Sequence, residues 1–311
     1  MSQADLISPF RFLAHLPQHL PRVPRMLRGL YYAGIRNREK NLSLAWALQQ
    51  GFSVIPSSTK RENLVANLDA AAVRLTDEDM AQIAKLDRII ELLDVRGGES
   101  ILEIGIGWGG LAERLLQTRN CEVCGVTLSA SQLEFAQRRL ASEIENGQCD
   151  LRLQDYRDVN GQFDRIVSIE MLEAVGEAYW PIYFEKLRGN LKPGGRAVLQ
   201  VISIDETRFA DYRRTPDFIQ QRIFPGGMLP TRTLIAEHAA AAGLRLIGEE
   251  LFGDSYARTL AIWKMRFEQA WPEIEPLGFD DRFRRMWIYY LDYCRVGFEM
   301  SAVDVGLYTF V

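Results

Sequence analysis

With 311 residues, 47% of them hydrophobic, the chain can build one large domain or two ordinary ones around a sizeable core. A formal net charge of −4 argues against nucleic acid as a partner. The sequence shows no run of eighteen apolar residues and no signal-peptide pattern, which predicts a cytoplasmic protein without a membrane span.

Residues 1–40 carry seven Lys or Arg against two acids, interleaved with Phe10, Phe12, Leu13 and Tyr31 and interrupted by Pro17, Pro21 and Pro24. This mixture suits either an anionic membrane surface or a tail packed on the rest of the chain. Leu42–Gln50 has helical spacing, Ser53–Ile55 that of a strand, and Arg61–Leu68 that of another helix. Thr76, Asp77, Glu78 and Asp79 then open a helix whose first-turn acids favour its macrodipole. Residues 1–88 are therefore expected to form a helical segment covering one side of the domain built by the rest of the chain.

From residue 101 the pattern alternates between strand and helix. Ile101–Ile104 reads as a strand and Gly110–Gln117 as a helix, joined by a turn containing Gly105, Gly107 and Gly109. Such a turn lets backbone N–H groups approach a nucleotide-like ligand closely. Gly105, Gly107 and Gly110 also fit the G-x-G-x-x-G spacing of dinucleotide sites, so the loop by itself leaves the cofactor open. Next come a strand over Glu122–Thr127 and a helix over Ser131–Glu145 capped by Ser129. Strands follow at Leu151–Gln154 and Phe163–Ile169, then a helix over Tyr179–Leu191 that stops at Lys192-Pro193-Gly194-Gly195. Arg196–Ser203 is the next strand. The alternation predicts an α/β fold with a Rossmann-like, doubly wound sheet and its ligand at the carboxyl ends of the strands.

The four cysteines, Cys121, Cys124, Cys149 and Cys294, are few for this length and point to a reducing compartment. Cys121-x-x-Cys124 invites a redox or zinc reading, but it falls within a strand with no histidine or second pair nearby. Buried thiols fit better, and no metal site is expected. Phe218, Ile219, Ile223, Phe224, Met228 and Leu229 surround a Pro225-Gly226-Gly227 turn, and Trp287, Tyr289, Tyr290 and Tyr293 enrich a late helix. These surfaces suit either an acyl tunnel or ordinary core.

Several motifs in order carry a family resemblance. They are LEIGIGWGG (102–110), GVTLSASQ (125–132), LQDYRD (153–158), FDRIVSIEMLEAVG (163–176), LKPGGRAVL (191–199), IFPGGMLP (223–230) and FRRMWIYYLDYC (283–294). Over about 85–311 the chain resembles cyclopropane-fatty-acyl-phospholipid synthases, a branch of the class I S-adenosylmethionine-dependent methyltransferases. The resemblance implies a seven-stranded methyltransferase sheet over 89–311, with a substrate-covering insertion at about 205–232. It implies S-adenosylmethionine as cofactor, held by Gly105, Gly107 and Gly109 at the methionine portion. Thr127, Leu128 and Gln132 would serve the ribose, and Asp155 and Tyr156 the adenine; packing in the core is the alternative for Tyr156. The implied partner is an unsaturated phospholipid at a membrane surface, reached peripherally from the cytoplasmic side, and a homodimer is compatible with it.

In the family the alkene attacks the sulfonium methyl, and a bound bicarbonate removes the proton that closes the ring. Carried over residue by residue, its cage falls on Glu173, the backbone of Ile202, and Tyr256. The histidine position holds Gln200, which donates hydrogen bonds but does not titrate near neutral pH. No cysteine precedes Cys121, so the cysteine ligand has no counterpart. A weakened base would divert the cation to a methyl-branched or methylene product. Leu42–Arg88 resembles instead the closing part of an aldo-keto reductase barrel, in which Ser57–Asn63 would grip the 2′-phosphate of NADPH. Residues 10–40 resemble the opening of acyl-CoA ligases. Without the other barrel strands the reductase piece cannot act as one. Two further readings stay open: a methyltransferase for a small-molecule nucleophile, and a cofactor-binding protein without turnover.

Overall fold

A strand flanked by parallel neighbours is buried on both faces, and Ile101, Leu102, Glu103 and Ile104 are all buried. They end β1 (Glu99–Ile104), an interior strand of the sheet in the computed structural model, which describes residues 77–311. The expectations for residues 1–76, including the basic stretch, the elements at 42–68 and Ser57–Asn63, lie outside the described residues.

In chain order the main elements are α1 (Asp77–Leu93), β1, α2 (Gly110–Thr118), β2 (Cys121–Thr127), α3 (Ala130–Arg139), α4 (Ala141–Glu145) and β3 (Cys149–Leu153). β4 (Phe163–Ile169), α5 (Leu172–Val175), α6 (Trp180–Asn190), β5 (Leu191–Ile204) and α7 (Glu206–Arg214) come next. The chain closes with α8 (Arg232–Ala241), β6 (Leu246–Leu251), α9 (Gly253–Ile274), α10 (Asp281–Glu299) and β7 (Val303–Phe310). The seven strands stand in the order β3-β2-β1-β4-β5-β7-β6, with β7 antiparallel to both its neighbours and the rest parallel. The connections leave β1 and β4 in opposite directions, so a crevice opens at their carboxyl ends.

Successive strand residues point to opposite faces, which divides the core in two. Leu102, Ile104, Ile166 and Leu199 pack under Trp180, Tyr183 and Phe184 of α6. Ile101, Val167 and Val198 pack on the other side under Ile89, Ile90 and Leu93 of α1. The same geometry places Cys124 in the first layer and Cys121 in the second, both buried and free. Residues three apart on a strand cannot pair, so this is no redox motif. A third apolar cluster joins α9 and α10 through Trp271, Ile274, Trp287 and Tyr290 to Ile223 of the insertion.

α1 is fastened by arginines from the sheet. Arg165 donates to the carbonyls of Leu93 (2.6 Å) and Asp94 (2.8 Å), and Arg196 to that of Leu92 (3.0 Å). Cations on the last carbonyls of a helix satisfy orphan acceptors and oppose its dipole. The helix runs unbroken across Arg88, so the boundary expected there falls inside one element.

Two boundaries differ from the sequence pattern. The helix expected over 131–145 breaks at Leu140, whose φ of −106° and ψ of 25° let its side chain drop into the core. β5 starts at Leu191 rather than Arg196, because Leu191 pairs with Phe163 and a register shift absorbs the Pro-Gly-Gly stretch. Gly195 permits this: a Cβ there would lie 2.9 Å from the carbonyl oxygen of Asp164.

Candidate active site

The loop from β1 to α2 winds through left-handed backbone at Gly105, Gly107 and Gly109, with φ of 84°, 56° and 80°. It is pinned to the end of β2, where the amides of Gly105 and Ile106 both donate to Val126 O at 3.0 Å. Beneath it lies Glu103, 3% exposed, whose Oε2 has no hydrogen-bond partner among the described residues. Burial pushes its carboxyl up to about 8, opposed by the Ala112 amide. Glu103, Gly105, Gly107 and Gln132 share one cavity wall. An unpartnered acceptor beneath a glycine loop suits a ligand carrying an ammonium group, as the methionine portion of S-adenosylmethionine does. Gly105→Val puts a β-branched residue at positive φ, which costs about 1–2 kcal/mol of strain in the loop. Calorimetric titration should show S-adenosylmethionine binding weakened roughly tenfold or more, the equivalent of that strain; unchanged affinity would remove the loop from the site.

At the end of β2 the Thr127 hydroxyl donates to Gln132 Oε1 (3.3 Å) and accepts from the Ser129 amide (3.1 Å). Ser129 in turn caps α3 by accepting from the Gln132 amide, as its position predicted. Gln132 and Thr127 are buried while Leu128 is exposed. At the end of β3 Asp155 accepts from the Arg157 amide and its guanidinium (2.7 Å), and Arg157 holds its carboxyl below the usual range. Tyr156 is buried with its ring 5.5 Å from that of Tyr183 in an edge contact. These residues flank the cavity at the strand ends, and of them only Gln132 forms its wall.

The other wall holds the acid cluster. Glu170, directly after β4, adopts φ 49°, and its amide donates to Gln200 O at 2.8 Å. Left-handed backbone is uncommon for a residue with a side chain, and here it turns the chain from strand to α5. Glu170 Oε1 accepts from Gln200 Nε2 (2.6 Å) and from the Tyr256 hydroxyl. Gln200 Nε2 also lies 2.7 Å from Tyr256 Oη. Glu173, on α5, accepts through Oε1 from the Ile202 amide at 2.5 Å, while its Oε2 is buried without a partner among the described residues. Burial first, and then the Glu170 charge, push its carboxyl up to about 8. Lys85 of α1 stands with Nζ 5.9 Å from the centre of the Tyr256 ring, its ammonium lowered by burial and partly restored by Glu170. Glu173, Gln200, Ile202 and Tyr256 thus come together as their motifs suggest. Glu170 and Lys85 complete the group and were missed; the signal was two acids three residues apart just past a strand end.

Glu103 and Glu173 give the fold a pH dependence. Both keep a proton up to about 8, whereas in the unfolded chain they lose it near the ordinary 4.5. Between these values the folded state binds more protons, so their contribution falls as pH rises from 4.5 through 8. Urea midpoints of the ligand-free protein should drop over that window, and Glu103→Gln should flatten the slope. An unchanged slope in that variant would refute the assignment.

Both walls belong to one cavity of about 1310 Å³. Its lining also includes Phe224 and Met228 of the insertion and Leu260, Phe267, Trp287 and Tyr290 of α9 and α10. No helix among the described residues is long and apolar enough to cross a membrane.

The family described as mycolic acid cyclopropane synthetase matches residues 71–307. The chain belongs to that family. Tuberculostearic acid methyltransferase UfaA1 of Mycobacterium tuberculosis is 40% identical over 237 residues, 76% of this chain and 55% of its own length. The cyclopropane-fatty-acyl-phospholipid synthase of Escherichia coli K12 is 40% identical over 235 residues, 75% of this chain and 58% of its own. The chain therefore spans a little over half the length of these curated relatives. Mycolic acid cyclopropane synthase CmaA1, solved with SAH and CTAB, superposes with a TM-score of 0.70 at 26% identity, over 76% of this chain and 85% of that one. Family and fold are those of S-adenosylmethionine-dependent methyltransferases, which decides between the two readings of the glycine loop. The aldo/keto reductase family matches residues 39–88, of which 77–88 lie in α1 and the remainder outside the described residues.

Proposed function

We propose that the chain transfers the methyl group of S-adenosylmethionine to the double bond of an unsaturated fatty acyl chain carried on a phospholipid. The observation that carries this is one shared cavity, lined by the glycine loop and its buried carboxyl, by aromatic and aliphatic side chains, and by Glu170 and Glu173. The two relatives at 40% identity are named for a fatty-acyl phospholipid and for tuberculostearic acid, which supports a lipid acceptor.

When bound, S-adenosylmethionine supplies an electrophilic methyl on a sulfonium. Gly105, Gly107, Glu103 and Gln132 would hold it. The wall of Phe224, Trp287 and Tyr290 holds the alkene against it and excludes water, so proximity rather than acid–base help drives the transfer. As the alkene π pair forms the new C–C bond, the methyl–sulfur bond would break with its electron pair kept by sulfur, leaving a neutral thioether, and positive charge develops on the other alkene carbon. Glu173 faces the cavity and its ionised form stabilises that charge. A proton then leaves the added methyl carbon, and the ring closes.

The test is incubation of the full chain with S-adenosylmethionine and vesicles of unsaturated phospholipid. The expected lipid product is heavier by one methylene and shows upfield ring protons by proton NMR. S-adenosylmethionine binding without any lipid product would overturn the proposal. Gln200, standing where the resemblance places a histidine, favours a second outcome, an isomeric methylene-bearing chain. Its vinylic protons separate it from the ring at equal mass.

A further inference from the structure

We infer that Glu170 is a built-in carboxylate standing where the family resemblance places bicarbonate, and that it accepts the proton lost as the ring closes. This deepens the lipid methyl transfer proposed above and rests on it.

Bicarbonate does not fit the donors of this site. The resemblance assigns it the Ile202 amide, the residue at 200 and Tyr256. In the structure the Ile202 amide donates to Glu173 Oε1 at 2.5 Å. Gln200 Nε2 donates to Glu170 Oε1 at 2.6 Å, and the Tyr256 hydroxyl donates to that same oxygen. Each donor ends on a carboxylate of the chain. A carboxylate and bicarbonate present the same planar pair of oxygens, so one can take the other's place without rearranging the donors. Two donors on one oxygen also fix which face of Glu170 remains toward the cavity that it lines.

The backbone is shaped for this. Glu170 holds a left-handed φ of 49°, a conformation that costs a side-chain-bearing residue about 1–2 kcal/mol. Its amide is tied to Gln200 O at 2.8 Å, so the residue that receives the carboxylate also receives the main chain. The titratable and charged groups around it come from four elements: Lys85 of α1, Glu173 of α5, Tyr256 of α9 and Tyr290 of α10. The Lys85 ammonium supplies counter-charge to the Glu170 carboxylate. Gln200 contributes a donor that stays fixed at every pH, which a histidine would not.

The step balances. A C–H bond of the added methyl breaks, its electron pair forms the second C–C bond to the cationic carbon, and the proton passes to Glu170. A neutral cyclopropane and a neutral carboxylic acid result, and the acid returns its proton to solvent before the next turnover.

The experiment uses the full chain and its Glu170→Ala variant in carbon-dioxide-stripped buffer, with vesicles of dioleoylphosphatidylglycerol and with or without added bicarbonate. Binding of ¹³C-bicarbonate is followed by NMR in parallel. Wild-type turnover should be unchanged by stripping, and wild type should show no saturable bicarbonate binding. Glu170→Ala should lose roughly 100-fold or more in rate, bind bicarbonate, and recover part of the loss when it is added. Loss of wild-type turnover on stripping, saturable binding to wild type, or a variant as fast as wild type would overturn the inference. If wild type makes no lipid product in any buffer, the proposed function fails. The binding measurement still decides for Glu170: bicarbonate bound by the variant alone supports it, and bicarbonate bound by wild type refutes it.

Discussion

Replacing Glu173 by glutamine is expected to slow lipid methylation by about 10²–10³-fold, the range seen when a preorganised electrostatic group is removed. S-adenosylmethionine affinity should hardly change. The amide is nearly isosteric, and its oxygen still accepts from the Ile202 N–H that Glu173 Oε1 engages at 2.5 Å. Only the charge is lost. The wild-type carboxyl is pushed up to about 8 by burial and by Glu170, so its ionised fraction grows as pH rises toward that value. The wild-type turnover number should climb with it, and the variant should lack that limb. Stopped assays across pH 6 to 9, bracketing the carboxyl at about 8, separate this role from a packing one. A purely structural Glu173 would shift the Michaelis constant or the yield of folded protein and leave the shape of the profile alone.

The parts of the fold that could be read from sequence are those whose signals are local. β1 and the glycine turn announce themselves because an apolar run and residues at positive φ need only their own neighbours. Ser129 is legible as a cap for the same reason, since the amide it accepts from lies three residues ahead. The buried thiols at Cys121 and Cys124 follow from strand periodicity alone. The break at Leu140 is different. Nothing in LEFAQRRLASEIE forbids a continuous helix, and the interruption comes from the pocket that takes the leucine between α3 and the loop at Gly109. The early start of β5 likewise depends on Phe163, a partner 28 positions away.

The site divides along the same line. Residues carried by a motif could be named from the sequence, while those defined by what the fold brings opposite them could not. Glu170 looks like the last residue of an ordinary strand until Gln200 and Tyr256 are seen to converge on it. Lys85 belongs to a helix whose apolar stripe suggests only packing, yet that packing delivers its ammonium to the Tyr256 ring. At Asp155 the motif suggests an adenine acceptor, and the structure adds Arg157, two residues on, as a bidentate competitor for the same oxygens. A ligand at that carboxylate must share it or displace the guanidinium. Position in a motif therefore fixes the location of a side chain, while its free valences depend on neighbours that the motif does not include.

Trp180→Ala is expected to have the largest effect on stability, about 3–5 kcal/mol in urea denaturation, because a full indole leaves a site too crowded to collapse. Trp180 is 0% exposed and opens α6 just before Pro181, with its ring centre 5.8 Å from that of His238 in an edge contact. Its Nε1–H donates to Leu172 O at 3.2 Å. That bond ties the core to α5, a helix of only 4 residues that carries Glu173. So short a helix has no stability of its own and is held by tertiary contacts. Trp180→Phe separates the two effects. It retains most of the packing and strands the Leu172 carbonyl, at a cost of about 1–3 kcal/mol. The phenylalanine variant should fold and bind S-adenosylmethionine, yet turn over more slowly than its stability alone would suggest, because Glu173 is no longer held. Equal turnover in wild type and Trp180→Phe would break that link. A Trp180→Ala protein within about 1 kcal/mol of wild type would mean that the core there repacks.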